Sequence, residues 1–186
     1  MKKGILKIIR LTGTVYILEY LHTHTKGQYT DLISNISIPT INARLNTLRK
    51  LKLIEHHFVR EDTRKEWYEL TEKGEKVIQL IKKLQNYDKV KKDKKKGILN
   101  IISRKKTAFI LEYINTHTEA HYKDLLKTVG THTLNARLRA FLDYNFIEHH
   151  FVREETRKEW YTITEKGKEI LEHIKKLQEL LTYEDG

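Results

Sequence analysis

Slid along itself, the chain matches at an offset of 93 residues without a gap: residues 4–6 return as 97–99 and residues 17–20 as 110–113. Between residues 1–93 and 94–186, 46 positions are identical, including the unbroken run IEHHFVRE at 54–61 and 147–154. Self-similarity on this scale marks a duplicated structural unit, and a copy of this size can close its own core. The chain therefore reads as two copies of one small domain, 1–86 and 97–186, rather than one continuous fold. Between them, residues 87–96 (YDKVKKDKKK) carry six lysines and little to bury, which suits an exposed linker or a helical extension.

Charge narrows the partner. Lys and Arg total 36 against 25 Asp and Glu, leaving a formal net charge of +11, a balance that favours a polyanion such as nucleic acid. Cysteine is absent, which excludes a disulfide framework, a thiolate metal site and a cysteine nucleophile, and agrees with a reducing compartment. No apolar run approaches the ~18 residues of a membrane span. The opening segment MKKGILKIIRLTGT lacks the apolar core and cleavage site of an export signal. The expected location is cytoplasmic, with no membrane contact.

Within the first copy, Val15, Ile17, Leu18 and Leu21 recur at helical spacing behind Thr12 and Thr14, which predicts a helix over 13–23. Lys26-Gly27 breaks that pattern. Tyr29 leads into TDLISN, a short helix with Thr30 as candidate cap, and Ser37 with Pro39 opens a third helix. On the third helix Ile41, Leu45, Leu48 and Leu51 share one face, which leaves polar and basic residues toward the other: a helix-turn-helix. LIEHHFVR and RKEWYEL, rich in aromatic and β-branched residues, flank the polar turn Glu61-Asp62-Thr63 and read as a hairpin, the wing. TEKG then starts a helix carrying Val77, Ile78, Ile81 and Leu84, with Thr71 as its cap. The expected class is α+β, mainly α: two tandem winged-helix-turn-helix domains, each α-α-α-β-β-α. The stretch GILKIIR before the first helix fits helix or strand equally.

The run ISIPTINARLNTLRKLKLI, a wing and WYELTEKG, repeated as TVGTHTLNARLRAFLDYNFI and WYTITEKG, resembles the core of MarR, PadR and ArsR-type winged-helix regulators. The tandem arrangement also resembles archaeal double winged-helix proteins, among them a replication initiator likened to the eukaryotic origin-licensing factor. The resemblance implies binding to double-stranded DNA, in transcription regulation first and at a replication origin second. Two departures stand out: the cysteine ligands of ArsR-type metal sensors are missing, and both copies lie on one chain.

An α-helix fits the major groove, where Asn pairs with adenine and Arg with guanine through bidentate hydrogen bonds. In the first copy Thr40, Asn42, Arg44 and Asn46 are expected near base edges, with Arg49 and Lys50 toward phosphates. In the second, Thr133, Asn135, Arg137 and Arg139 take those places. Wing residues Arg60, Arg64 and Lys65, and Arg153, Arg157 and Lys158, suit the phosphate backbone or a narrow minor groove. The aromatic pairs Trp67-Tyr68 and Trp160-Tyr161 read as strand residues with at least one ring packed on the core, not as base-stacking platforms. The copies differ in charge: 19 basic and 11 acidic residues (+8) in the first, 17 and 14 (+3) in the second.

Ten histidines raise the question of zinc. Neighbours on a strand, such as His56 and His57, point to opposite faces and cannot easily share an ion that needs three or four converging ligands. No metal and no cofactor are expected. Histidines facing phosphate would instead strengthen DNA binding when protonated. No phosphate-cradling glycine loop, paired-carboxylate site, H-E-x-x-H or G-x-S-x-G elbow occurs, so no catalytic residue is assigned and an enzyme is not expected. A protein-interaction scaffold is the third class. The helices at 77–86 and 170–181 carry apolar stripes, and Ile170, Leu171, Ile174, Leu177 and Leu181 offer a surface for the opposite domain or for self-association.

Overall fold

Both copies begin their first long helix just after a residue in the left-handed region, and the two copies solve that turn differently. Gly13 (φ 87°) precedes α1 (Thr14–His24), where glycine accepts positive φ without strain. The equivalent Lys106 (φ 68°) precedes α6 (Thr107–Thr116) without that freedom. The computed structural model describes residues 5–33, 36–60, 64–90, 97–153 and 157–182. The ambiguous stretch ahead of the first helix is helical in both copies: a 3-10 turn at Ile5–Arg10 and α5 at Ile98–Ile102.

In the first copy α1 is followed by β1 (Lys26–Gly27), α2 (Tyr29–Leu32), α3 (Ile38–Lys50), the hairpin β2 (Ile54–Arg60) and β3 (Arg64–Leu70), and α4 (Glu72–Gln85). The second copy runs α6, α7 (Tyr122–Leu126), α8 (Thr131–Asp143), β4 (Ile147–Arg153), β5 (Arg157–Ile163) and α9 (Glu165–Leu180). The fold is mainly helical with small antiparallel sheets, two winged-helix units in tandem. Contacts divide the described residues into two compact units, 5–90 with 177–182 and 97–176. Residues 86–90 continue α4 as a 3-10 turn, while 91–96 of the lysine-rich segment lie outside the described residues.

Two local expectations change. Lys26-Gly27 does not merely interrupt the helical pattern: as β1 it pairs antiparallel with β3, giving a three-stranded sheet in the order β1-β3-β2. The second copy keeps only a bridge between Ala120 and Tyr161 at that place. The cap of α2 is Gln28, not Thr30, and the Asp31 carboxylate accepts the Gln28 backbone N–H at 2.8 Å. Ser37, by contrast, holds the cap position of α3 with Pro39 in its first turn.

The T-E-K-G succession has a geometric cause. Thr71 accepts the Gly74 N–H at 3.0 Å and donates its hydroxyl to the Lys52 carbonyl at 2.7 Å. One side chain thus caps α4 and pins it to the end of α3. The backbone comes so close that a Cβ on Gly74 would lie 2.0 Å from the Leu53 carbonyl oxygen. Thr164 and Gly167 repeat this against Asn145 and Phe146, with the same 2.0 Å clash distance.

Ile17, Leu18, Leu21, Ile41, Leu48, Val77, Ile78 and Ile81 are wholly buried in the first unit, each worth roughly 1.5–3 kcal/mol relative to exposure. Under the wing the copies diverge in size. Leu48, Leu51 and Leu53 are replaced by Phe141, Tyr144 and Phe146, all buried, with the Tyr144 and Phe146 rings 5.4 Å apart. Ile170, Leu171, Ile174, Leu177 and Leu181, the stripe offered to the opposite domain or for self-association, are also buried.

Candidate nucleic-acid interface

The third helix of each copy presents a polar face because its apolar residues repeat at three and four: Ile41, Leu45 and Leu48 are buried, as are Leu134, Leu138 and Phe141. Asn42, Asn46, Arg49 and Lys50 are exposed on α3, and Asn135 and Arg139 on α8. Asn42 and Asn46 lie four residues apart and so share one side of the helix. In both copies a tyrosine of the preceding helix braces the first of these asparagines. Tyr29 donates its hydroxyl to Asn42 Oδ1 at 2.9 Å, and Tyr122 to Asn135 Oδ1 at 2.7 Å. The brace engages the amide oxygen and so restrains the amide plane of an exposed side chain. Sequence reasoning missed both tyrosines; their identity in register with the two asparagines was the available signal.

Arg44 and Arg137, expected near base edges, lie off the exposed face that carries Asn42 and Asn135. The expectation grouped positions 40, 42, 44 and 46, a spacing of two that suits a strand; on a helix it turns each successive residue by about 200°. Arg44 is half-buried on the flank of α3, and its Nε donates to the Thr12 carbonyl at 3.1 Å, back toward the start of α1. Arg137 is only 8% exposed. Thr40 is half-buried with its hydroxyl 2.9 Å from that of Ser37, and Thr133 is half-buried as well.

On the wings Lys65, Arg153 and Lys158 are exposed, whereas the side chains of Arg60, Arg64 and Arg157 and the tips at 61–63 and 154–156 lie outside the described residues. The outer faces also carry exposed Phe58 and Phe151, the latter 5.3 Å beneath the Arg153 guanidinium. Tyr68 and Tyr161 are 6% exposed, as expected of core-packed strand residues.

Cross-strand register stacks His56 on Tyr68 and His57 on Trp67, with ring centroids 4.6 and 5.3 Å apart, so the two histidines face opposite sides. Each meets a carboxylate, not open surface: His56 Nε2 is 3.1 Å from Glu66, and His57 Nε2 is 3.6 Å from Glu55 and from Glu69. His149 and Glu159, at 2.9 Å, repeat the theme. Carboxylates thus flank these rings, which argues against wing histidines as phosphate contacts. The first wing has an extra brace: Trp67 Nε1 donates to Glu69 at 2.7 Å and Lys26 lies 3.2 Å from the same carboxylate. The Trp67 bond, with help from Lys26, holds the Glu69 carboxyl below the usual range.

Among the described residues no helix is long and apolar enough to cross a membrane. No curated protein matches the chain in sequence. The pattern of the HxlR-like helix-turn-helix family matches residues 14–96 and again residues 101–184, each span taking in the first long helix, the helix-turn-helix, the wing and the last helix of its copy. The chain therefore belongs to the HxlR-like helix-turn-helix family, a family of DNA-binding regulators, and carries the family's unit twice.

Proposed function

We propose that the protein is a sequence-specific double-stranded DNA-binding transcription regulator in which one chain does the work of a dimer. The observation that carries this reading is the repetition, on both third helices, of an exposed asparagine braced by a tyrosine. A side chain held before it meets a base edge loses less entropy on binding, which favours discrimination among bases. Asn42, Asn46 and, in the second copy, Asn135 and Arg139 read bases; Arg49, Lys50, Lys65, Arg153 and Lys158 hold phosphates. Arg60, Arg64 and Arg157 are assigned to the backbone on charge and position in the sequence alone.

Covalent linkage gives the second unit a high effective concentration once the first has bound. Asn46 corresponds to Arg139, Arg49 to Leu142 and Lys50 to Asp143, so the target is an imperfect two-part site, not a true palindrome. Selection of bound duplexes from a random pool tests this directly. An asymmetric two-part motif near promoters is expected; recovery of no motif would overturn specific recognition.

A further inference from the structure

We infer that the second copy alone carries a phosphate-binding site at the head of α6, built from Arg104, Lys106 and the buried Arg137 of α8. The site deepens the DNA-binding reading above and rests on it for the source of the phosphate. Arg137 is 8% exposed, and its Nε has no hydrogen-bond partner. Its counterpart Arg44 donates its Nε to the carbonyl of Thr12, just ahead of α1. By the 93-residue register Thr12 corresponds to Lys105, and Arg137 is near enough to this turn to feel the Arg104 charge, yet its Nε lacks the bond that satisfies Arg44.

The same turn has changed its chemistry. Leu11, Thr12 and Gly13 of the first copy are Arg104, Lys105 and Lys106 in the second, all three exposed. Among the described residues none of these three, nor Arg137, forms an ion pair with a carboxylate. Burial, and then the charge of Arg104, disfavour the charged form of Arg137, but a guanidinium does not give up its proton. Lys106 adds a positive φ of 68° where the first copy uses glycine, and its ammonium stays near the turn, 4.9 Å from the Phe109 ring centroid.

A desolvated guanidinium, a second cation beside it and a strained lysine are three unfavourable features at one place in one copy. A bound anion removes the first two. The planar fork of arginine matches the oxygens of a phosphate, and the site sits on the flank of the recognition helix, where a backbone phosphate of bound duplex would pass. A free phosphate offers the same oxygens.

The test uses the full chain, the variants Arg104→Ala and Arg137→Met, the selected duplex and inorganic phosphate. Dissociation constants across a salt series are measured first. Then thermal unfolding is followed in sodium phosphate and in sodium chloride at matched ionic strength. Each variant is expected to weaken duplex binding several-fold and lower the log–log salt slope by about one. If duplex binding and slope are unchanged but phosphate raises the melting temperature of the parent chain and not of the variants, the site stands with free phosphate as its source. If the parent binds no duplex, the DNA reading falls and the phosphate arm alone decides the site. No effect in either arm overturns it. Arg104 is exposed, so its alanine variant answers even where Arg137→Met misfolds.

Discussion

Tyr29 and Asn42, on consecutive helices of the helix-turn-helix, are joined by a 2.9 Å hydrogen bond from the phenol to the amide oxygen. Removing the hydroxyl by Tyr29→Phe frees the Asn42 amide to rotate. The stability loss is expected to be small, about 0.5–1 kcal/mol for a solvent-accessible bond. The larger effect falls on recognition: discrimination against single-base changes in the first half-site should narrow. Chemical denaturation and competition binding with singly substituted duplexes measure the two effects separately.

Gly74→Ala and Gly167→Ala should be among the most damaging single substitutions. The added methyl would lie 2.0 Å from a backbone carbonyl oxygen, of Leu53 or Phe146, and neither can swing aside like a side chain. The last helix must move off the end of the recognition helix, a loss on the order of 3 kcal/mol or more. Gly130→Ser is the control. Nothing lies within 4 Å of a Cβ there, and the first copy has Ser37 at that position, so its midpoint in denaturant should hardly change.

Acid should loosen the first unit through Glu75. Burial pushes its carboxyl up, but the bond from His22, 2.9 Å away, and another from Gln79 outweigh burial and hold it below the ordinary glutamate value. A depressed folded pKa contributes stability above the unfolded value of about 4.3, lost as pH falls from there through the folded pKa. His22→Asn, the residue found at position 115 of the second copy, should flatten that part of the stability-against-pH curve. Equilibrium unfolding at a series of pH values below 5 reads it, and an unchanged curve would count against the linkage.

Arg49 and Lys50 end α3 with two exposed cations, where α8 ends in Leu142 and Asp143. Arg49→Ala is expected to weaken binding to all sequences alike and to lower the salt slope by about 0.9, the signature of one lost phosphate contact. Leu142→Arg should raise both. A salt titration of duplex binding distinguishes this from loss of a base contact, which would act on one sequence and leave the slope alone.

The architecture was legible because apolar residues at helical spacing, a β-branched hairpin and Thr-Glu-Lys-Gly each leave a local pattern. Lys26-Gly27 left none: a two-residue strand takes its identity from pairing with Glu69 and Tyr68, which is not written in its own residues. The burial of Arg44 and Arg137 was hidden for a different reason. Being basic and on the right helix qualifies a residue for DNA, but the 3.6-residue period decides which side it faces, and residue 44 turns away from residue 42. Tyr29 and Tyr122 recur in register with the two asparagines, but that each braces its asparagine across two helices is a tertiary fact.

Strands β2 and β4 are identical in all seven residues, and five of seven match between β3 and β5. During folding, a strand of one wing could therefore pair with the partner meant for the other, since the ladder alone cannot tell them apart. What lies beneath the wings can. Leucines at 48, 51 and 53 leave room that Phe141, Tyr144 and Phe146 fill, so a hybrid would either trap a void or overpack. The size difference under two matching hairpins is thus a sorting rule, one that lets a chain carrying the same fold twice assemble each copy from its own segment.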